Sequence, residues 1–231
     1  MQDNTATYYA TRVYTKPGLA LYDGLIMGVF ARLIWRCDPQ HFVDIYQRNV
    51  SGNHADIGVG TGYCLDRCRF PSRNPRLALI DVTPNCLEFT ARRLARYAPK
   101  TYLHDASELI RIDGSPFDSV GLGGVLHCMP GDDMRDKCRL FDAIEPLLHA
   151  ETVVFGYSLV ADNMRSTLRS HLAHLTLNRL RIVNNVNDRI GELRRELRRR
   201  FSDYEVETRG PLAFFRAQGA VRIAQACEVA A

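Results

Sequence analysis

The chain has 231 residues, of which 46% are hydrophobic and 24% are charged, and its formal net charge is +4. These proportions are those of an ordinary globular protein and argue against a disordered or fibrous chain. No apolar run reaches the roughly 18 residues that a membrane span requires, because Asp23 and Arg32 interrupt the longest candidate, Leu19 to Trp35.

The start of the chain and its cysteines bear on the cellular compartment. Met1 to Tyr9 is polar and lacks the cationic segment and apolar stretch of a secretory signal. Seven cysteines are scattered without a Cys-x-x-Cys pair, which favours free thiols over a disulfide framework or a structural zinc site. These features predict a cytoplasmic protein with no resident metal.

Arginine supplies 27 of the 30 basic residues, and its densest cluster lies in the stretch 191–201. Leu193, Leu197 and Phe201 recur there every four residues, which indicates a helix with one apolar stripe. The simplest interpretation is a solvated helix face, although the same composition can bind a polyanion such as nucleic acid or a membrane surface. We expect neither nucleic acid nor a membrane as a partner.

The first 50 residues precede every predicted strand. They contain one predicted amphipathic helix, from about Ala20 to Trp35, and several tyrosines, Tyr8, Tyr9, Tyr14 and Tyr22. We interpret this segment as a helical cap over the sheet, because its apolar helix must bury one face. We expect residues 8–35 to close over the site.

From His54 onward, short apolar runs alternate with helical stretches. Five strands are predicted, at His54–Ile57, Arg76–Asp81, Thr101–His104, Phe117–Leu122 and Thr152–Tyr157. Helices are predicted between them, at Tyr63–Arg69, Pro84–Arg96 and Asp132–Leu148. This alternation is typical of an α/β sandwich of parallel strands with crossover helices.

The pattern changes after the fifth strand. Residues 162–200 are predicted to be helical, with an interruption around Asn184 and Asn185. Two further segments, Tyr204–Thr208 and Leu212–Arg216, flank the turn at Gly210-Pro211. They predict an antiparallel hairpin on the edge of the sheet.

A glycine-rich loop follows the first strand and opens a helix, in Asp56-Ile-Gly58-Val-Gly60-Thr-Gly62-Tyr63. Glycine there allows positive φ and a close approach of the backbone to a ligand, and the helix start adds free amide donors. Asp81 ends the next strand, where a carboxylate can accept hydrogen bonds from a ribose diol. The combination predicts adenosine binding; a tight turn beside a surface aspartate is the alternative.

The spacing of the glycines separates two cofactor classes. Dinucleotide folds prefer Gly-x-Gly-x-x-Gly, whose third glycine would be position 63, which is Tyr here. The Asp-x-Gly-x-Gly-x-Gly pattern resembles the class I S-adenosylmethionine-dependent methyltransferases of the small-molecule type. The resemblance extends to Asp81, to Asp105 in His-Asp-Ala-Ser, and to Phe117-Asp-Ser-Val followed by Val125-Leu-His127. It covers about residues 50–216.

The resemblance implies a Rossmann-like sandwich with a mostly parallel seven-stranded sheet, a C-terminal antiparallel hairpin and the N-terminal helical cap. It implies a single methyltransferase domain over 1–231, with the cap at 1–50, a cofactor-binding core at 51–160, a helical insertion at 161–203 and the hairpin at 204–218. The implied cofactor is S-adenosylmethionine, with S-adenosylhomocysteine as the product.

Roles for individual residues also follow from the resemblance. The loop residues border the methionine part of the cofactor, Asp81 takes the ribose, Asp105 and Ala106 meet the adenine edge, and Leu122 and Gly123 lie beneath the sulfonium. Asp56 orders the loop. The implied cofactor-binding set is Asp56, Gly58, Gly60, Thr61, Gly62, Tyr63, Asp81, Val82, Asp105, Ala106 and Leu122. No metal-ligating residue is expected.

Three residues are candidates for handling the methyl acceptor. His127 follows the fourth strand, close to the expected methyl group, and is a candidate general base; a structural histidine or a pocket wall is the alternative. Tyr14 and Tyr22 in the cap are candidates for orienting the acceptor or covering the cofactor. Ordinary aromatic packing is the alternative for both.

The acceptor is expected to be a small molecule. The chain lacks an Asn/Asp-Pro-Pro-Tyr motif after the fourth strand, where Gly123-Gly124-Val125-Leu126 stands, which argues against nucleobase amines. We expect methyl transfer to an O or N atom of a small organic acceptor, in specialised metabolism. Two alternatives stay open: a protein that binds the cofactor and catalyses another reaction, and a dinucleotide-dependent oxidoreductase. The oligomeric state is open, with a dimer as one option.

Overall fold

A computed structural model describes residues 14–162, 164 and 167–221. Within these residues one seven-stranded sheet has the strand order β3-β2-β1-β4-β5-β7-β6. The strands are β1 (Asn53–Ile57), β2 (Arg76–Asp81), β3 (Lys100–Leu103), β4 (Ser119–Gly123), β5 (Val153–Leu159), β6 (Phe201–Arg209) and β7 (Leu212–Ala220).

The sheet is parallel from β3 through β5, and β7 runs antiparallel to both β5 and β6. The fold prediction is therefore confirmed, including the closing hairpin. The bounds of β1, β3, β4 and β5 differ from the predicted ones by one or two residues, and the hairpin strands are longer than predicted. β4 begins at Ser119, two residues later than predicted, and the hairpin strands extend to Phe201 and Ala220.

Helices cover both faces of the sheet, and the alternation of buried side chains along β2 shows why. Leu77 and Leu79 pack on one face, with α2 (Gln40–Asn49), α3 (Tyr63–Arg67) and α4 (Pro84–Arg93). Ala78 and Ile80 pack on the other face, with α5 (Met134–Lys137), α6 (Leu140–Ala143) and α8 (Ile190–Arg200). A strand buried on both faces reads as a continuous apolar run.

The N-terminal helical cap is confirmed, but the expected single helix from Ala20 to Trp35 is wrong in detail. The chain instead forms α1 (Lys16–Tyr22), which runs directly into a π-helix (Asp23–Ile34). Thr15 caps α1, because its hydroxyl accepts a hydrogen bond from the Gly18 amide at 3.2 Å. Tyr8 and Tyr9 lie outside the described residues.

The helix expected over Asp132–Leu148 is broken into α5, α6 and a 3₁₀ turn (Glu145–Leu147). Pro146 supplies a reason for the last break, because it has no amide hydrogen with which to continue an α-helix. The predicted helical region 162–200 contains α7 (Leu168–Arg179) and α8, separated by residues 180–189. None of the helices in the described residues has the length and hydropathy that crossing a membrane requires.

Candidate active site

The glycine loop lies at the carboxyl end of β1, and its three glycines have positive φ values of +66°, +51° and +67°. A Cβ on Gly58 would stand 2.5 Å from Val125 Cγ2, and one on Gly62 would stand 2.6 Å from Thr90 Cγ2. Packing therefore excludes a side chain at both positions. A Cβ on Gly60 would meet nothing within 4 Å, so the space above Gly60 is open.

Asp81 lies beside this loop, at the end of β2. Its carboxylate accepts hydrogen bonds from the Gly60 amide at 3.3 Å and from the Thr83 amide at 2.8 Å. Burial raises the pKa of the Asp81 carboxyl to about 6, against the opposing effect of these two amides. Asp81 is thus fixed in orientation, and each of its oxygens keeps a further lone pair for a ligand.

A small cavity continues from Asp81 towards the end of β3. Val82, Asp105 and Ala106 border it together with Asp81, as expected, and His104 also borders it. The Asp105 carboxylate accepts hydrogen bonds from both the amide and the hydroxyl of Ser107, each at 2.8 Å. Asp105 therefore lies at the predicted place, with one of its oxygens already engaged within its own loop.

A second, larger cavity of about 450 Å³ opens on the other side of the glycine loop. The two cavities share Tyr14, Gly58, Gly60, Gly124 and Cys128, so they adjoin each other at the loop. Most of the larger wall is apolar or aromatic. The cap contributes Leu21, Leu25, Ile26, Met27, Phe30, Ala31 and Trp35, and the region after β5 contributes Leu159, Leu177, Ile182, Val183 and Leu212.

The floor of the larger cavity holds a buried polar network around Asp56. The Tyr46 hydroxyl donates to Asp56 Oδ1 at 2.9 Å, and His54 Nε2 lies 3.6 Å from the same oxygen. His54 Nδ1 is 2.8 Å from the Ser119 hydroxyl. Gly121 leaves room for the carboxylate, because a Cβ there would lie 2.1 Å from Asp56 Oδ1.

The cap is tied to the glycine loop by a cluster around Asp23. Thr61 Oγ1 donates to Asp23 Oδ1 at 2.6 Å, and Arg93 forms an ion pair with Asp23 Oδ2 at 2.7 Å. Arg93 also donates to the Thr61 carbonyl at 2.7 Å. Thr61 therefore holds the π-helix against the loop, a role that differs from direct cofactor contact.

His127 follows β4 and lines the larger cavity. Its Nδ1 lies 3.3 Å from the Leu159 amide nitrogen, which donates to it, and 3.4 Å from the Ser158 hydroxyl. Burial, with the nearby positive charge of Lys137, lowers the pKa of His127 to about 3. The imidazole is therefore neutral, and because an amide can only donate, its proton resides on Nε2.

Tyr14 and Tyr22 meet at the cavity, with ring centroids 5.7 Å apart. The neighbouring Tyr22 phenol, followed by burial, raises the pKa of Tyr14, and burial raises the pKa of Tyr22 to about 12. Both phenols remain protonated near neutral pH. The structure thus brings all three acceptor-handling candidates to one cavity.

One predicted residue lies elsewhere. Leu122 is fully buried in the core on the face of the sheet away from the larger cavity and borders neither cavity. Because side chains alternate along a strand, its neighbour Gly123 borders the cavity instead. Gly58, Gly60, Gly62, Thr61 and Tyr63 all line the larger cavity.

Several wall residues were not predicted from the sequence, and Tyr46 and Tyr157 are two polar ones among them. Tyr46 belongs to α2, whose buried face is formed by Phe42, Val43 and Tyr46. Their spacing of one and three residues is a helical signal that was available in the sequence. Tyr157 lies in β5, directly opposite Gly123 of β4, a contact that only the sheet register reveals.

Comparisons with known proteins agree with this geometry. No protein-family model matches the chain. It is 32% identical over 204 residues to the demethylluteothin O-methyltransferase of Streptomyces thioluteus, covering 88% of each chain. It is 27% identical over 215 residues to the physcion biosynthesis cluster O-methyltransferase of Aspergillus chevalieri, covering 92% of this chain and 96% of the relative. The chain belongs to the class I S-adenosylmethionine-dependent methyltransferases.

The fold of this methyltransferase also has solved counterparts. A DhpI–SAH complex superposes with a TM-score of 0.68 at 12% identity, covering 96% of this chain and all of that chain. As a member of this family, the methyltransferase uses S-adenosylmethionine as its cofactor and releases S-adenosylhomocysteine as the product. The adjoining cavities, the open space above Gly60 and the fixed carboxylate of Asp81 fit that cofactor.

The enzyme transfers a methyl group from S-adenosylmethionine to an O or N atom of a small organic acceptor. The prediction of a methyltransferase from the glycine loop is therefore confirmed. Neither alternative receives support from these comparisons, whether a cofactor-binding protein with another reaction or a dinucleotide-dependent oxidoreductase.

Proposed function

We propose that this methyltransferase methylates a hydroxyl oxygen on a planar, largely apolar acceptor of specialised metabolism, and that this oxygen is already anionic when it enters the site. The names of two relatives support oxygen as the methylated atom and specialised metabolism as the setting, since one refers to demethylluteothin and the other to a physcion biosynthesis cluster. The larger cavity supports the rest.

The wall of that cavity selects for an apolar acceptor. Aromatic rings approach it from several elements, with Phe30, Trp35, Phe42 and Tyr157 among them. Among the described residues, neither lysine nor arginine borders the cavity, and Asp56 is the only carboxylate that does so. A highly charged acceptor would lose its hydration there without gaining a partner, whereas a planar ring system finds aromatic faces to stack on.

We propose that the smaller cavity holds the adenosine part of the cofactor and that the glycine loop adjoins its methionine part. Asp81 accepts hydrogen bonds from the ribose diol, while Val82, Asp105 and Ala106 border the adenine. Gly58, Gly60 and Gly62 let the backbone approach the cofactor. Asp56 is the one carboxylate available for the methionine ammonium group, with Tyr46 fixing its orientation through the 2.9 Å hydrogen bond.

The polar groups that border both the loop and the acceptor space are hydrogen-bond donors. His127 presents Nε2–H, because the Leu159 amide occupies Nδ1. Tyr14 and Tyr22 keep their phenol protons, because their pKa values are raised. Burial also raises the pKa of the Cys128 thiol to about 12. These donors stabilise an anionic oxygen, and in these protonation states none of the four removes a proton from a neutral one.

The chemistry follows from this arrangement. The bound cofactor supplies a methyl carbon activated by its sulfonium. His127 and the cap tyrosines orient the acceptor oxygen by donating hydrogen bonds to it, so that its lone pair faces that carbon. The apolar wall keeps water away from the oxygen, which preserves its reactivity. An acidic phenol or a cyclic enol conjugated with a carbonyl meets these requirements, because it loses its proton in water beforehand.

Two substitutions at position 127 test the donor role. His127→Leu removes the donor, and we expect kcat to fall about 100-fold, the scale of losing one donor to an oxyanion. His127→Gln keeps an amide N–H near the position of Nε2, and we expect it to recover part of that loss. The measurement is kcat and KM for a series of phenols and cyclic enols whose pKa values range from below neutrality to that of tyrosine.

The pH dependence separates a donor from a base. A donor predicts that kcat/KM follows the ionised fraction of each acceptor, with the inflection moving from one acceptor to the next in all variants. A base predicts one inflection that is the same for every acceptor and disappears in both variants, because glutamine cannot accept the proton. The dissociation constant of S-adenosylhomocysteine should be unchanged in both variants, which controls for folding.

We also propose that 1–231 acts as one methyltransferase domain in the cytoplasm, with a small-molecule acceptor and without nucleic acid. Cap residues Leu19 and Met27 belong to the same core cluster as Leu77 and Leu79 of β2, which supports one folding unit. A single two-state unfolding transition for the whole chain tests this proposal.

A further inference from the structure

The helix α7 has an inverted amphipathic pattern. It buries two polar residues, since Ser170 donates to the Ile34 carbonyl at 2.6 Å and His174 Nε2 lies 3.1 Å from Asn185 Oδ1. Three of its four leucines are exposed, with Leu168 72% exposed, Leu172 53% and Leu175 51%, whereas Leu177 packs inward. A helix that faces only water normally places these two classes the other way round.

The neighbouring cap, α1 with the π-helix that follows it, also exposes large aliphatic residues. Leu21, Leu25, Val29 and Leu33 recur every four residues and are 43–73% exposed. The Ser170–Ile34 hydrogen bond joins the two helices, so their exposed aliphatic residues belong to neighbouring elements. We define the apolar face as Leu21, Leu25, Val29, Leu33, Leu168, Leu172, Leu175 and Leu180.

The apolar face adjoins the entrance of the acceptor cavity. Leu21 and Leu25 belong to both, because each is more than half exposed and also borders the cavity. Leu177, on the inner side of α7, borders the cavity as well. An apolar compound bound at the outer surface would therefore have a continuous apolar route inward, without crossing bulk water.

The charges around the apolar face are almost all positive. Arg32, Arg36, Arg169 and Arg179 are exposed on the two stretches 21–36 and 168–181. The only acidic residue in these stretches is Asp23, which is paired with Arg93. Exposed aliphatic residues on two neighbouring helices, with exposed arginines and no exposed acid in the same two stretches, match the interface of an anionic membrane, which offers acyl chains beneath negative headgroups.

We propose that the apolar face docks on the surface of a bilayer containing anionic phospholipids, and that the enzyme takes its apolar acceptor from that surface. This proposal departs from the expectation of no membrane partner. The arginines disfavour a second copy of the chain as the occupant, because a two-fold contact would bring like charges together. The docking does not depend on whether the acceptor oxygen is anionic.

Co-sedimentation of the full chain with lipid vesicles tests the proposal. We expect binding to phosphatidylcholine vesicles that contain phosphatidylglycerol, weaker binding to pure phosphatidylcholine, and release at high salt. Leu172→Gln with Leu175→Gln should lower the partition constant at least tenfold, roughly the loss of two buried aliphatic side chains. Neither leucine borders the cavity.

Matched charge variants complete the test. Arg169→Gln with Arg179→Gln should reduce partitioning about 25-fold, since each arginine near an anionic surface contributes roughly fivefold. Arg195→Gln with Arg198→Gln removes the same charge from α8, which lies on the other face of the sheet, and should have little effect. The dissociation constant of S-adenosylhomocysteine should be the same in all variants, as a check on folding.

Three outcomes would overturn the proposal. One is failure of the wild-type chain to bind anionic vesicles. Another is equal loss of binding in both pairs of arginine variants, which would indicate attraction by net charge alone. The third is a dimer in analytical ultracentrifugation that the leucine variants dissociate, without vesicle binding, which would make the apolar face an interface between copies.

Discussion

Substitution of Asp81 by asparagine should separate the binding role of this carboxylate from its cost to stability. Asp81 is only 7% exposed, and burial raises its pKa to about 6 from the usual 3.8. Asparagine keeps one acceptor oxygen but points an amide N–H towards either Gly60 or Thr83, whose own amides need acceptors. We expect cofactor affinity to fall by about 1.5–3 kcal/mol, or roughly 10- to 150-fold, the scale of hydrogen bonds to a charged group.

The same pKa predicts how stability changes with pH. An acid whose pKa is higher in the folded state binds more protons there, so stability is lost as the pH rises from about 4 through 6. The difference of about two pH units corresponds to at most about 3 kcal/mol for the cofactor-free protein. Asp81→Asn has no titrating group at this position, so its unfolding free energy should lack this part of the pH dependence.

Two measurements check these expectations. Calorimetric titration with S-adenosylhomocysteine should show that the affinity of the wild type falls about tenfold per pH unit below 6. The reason is that protonated Asp81 no longer accepts a charge-assisted hydrogen bond. Asp81→Asn should bind weakly throughout, with less dependence on pH. Urea unfolding at several pH values supplies the stability curve. Asp105→Asn is the control and should retain the wild-type pH dependence. Equal affinity of wild type and Asp81→Asn at pH 8 would refute the ribose assignment.

Three further expectations concern the loop and the cap. Gly60→Ala should weaken cofactor binding at a folding cost of only about 1–2 kcal/mol, because its Cβ enters open space. Gly58→Ala should lower Tm more, because its Cβ would meet Val125. Thermal melting and calorimetric titration distinguish the two variants. Asp23→Asn breaks the ion pair with Arg93 and should cost about 1 kcal/mol or less in urea unfolding, because the pair is partly exposed. Hydrogen exchange in residues 14–35 should slow when S-adenosylhomocysteine and acceptor are added; unchanged exchange there would contradict closure of the cap.

Local signals predicted the cofactor half of the site well. The glycine loop and the acids at the ends of β2 and β3 follow strands in the sequence, and parallel strands bring their carboxyl ends together at one edge. Asp81 and Asp105 therefore border one cavity although 24 residues separate them in the sequence. Leu122 was misplaced relative to Gly123 because a shift of one residue along a strand reverses the face.

The acceptor half depended on contacts that are distant in sequence. Asp23, Thr61 and Arg93 meet through hydrogen bonds spanning 38 and 70 residues, and no local pattern predicts such a meeting. The position of the His127 proton on Nε2 likewise follows only from the hydrogen bond with the amide of Leu159, 32 residues away. The outward leucines of α7 were missed because an inverted helix has the same periodicity as an ordinary one.

The donors His127, Tyr14 and Tyr22 and the apolar wall together imply selectivity between hydroxyl groups. His127, Tyr14 and Tyr22 do not act as bases, so a neutral alcohol remains a poor nucleophile in the site. The enzyme therefore needs no separate device to prevent methylation of neutral hydroxyl groups. An acceptor with several hydroxyls presents the most acidic one as an anion, and the donors His127, Tyr14 and Tyr22 favour that oxygen over its neutral neighbours. The relative acidity of the acceptor's hydroxyl groups then decides which oxygen faces the methyl group. The cavity wall needs only to hold the ring flat and does not need a separate contact for every substituent.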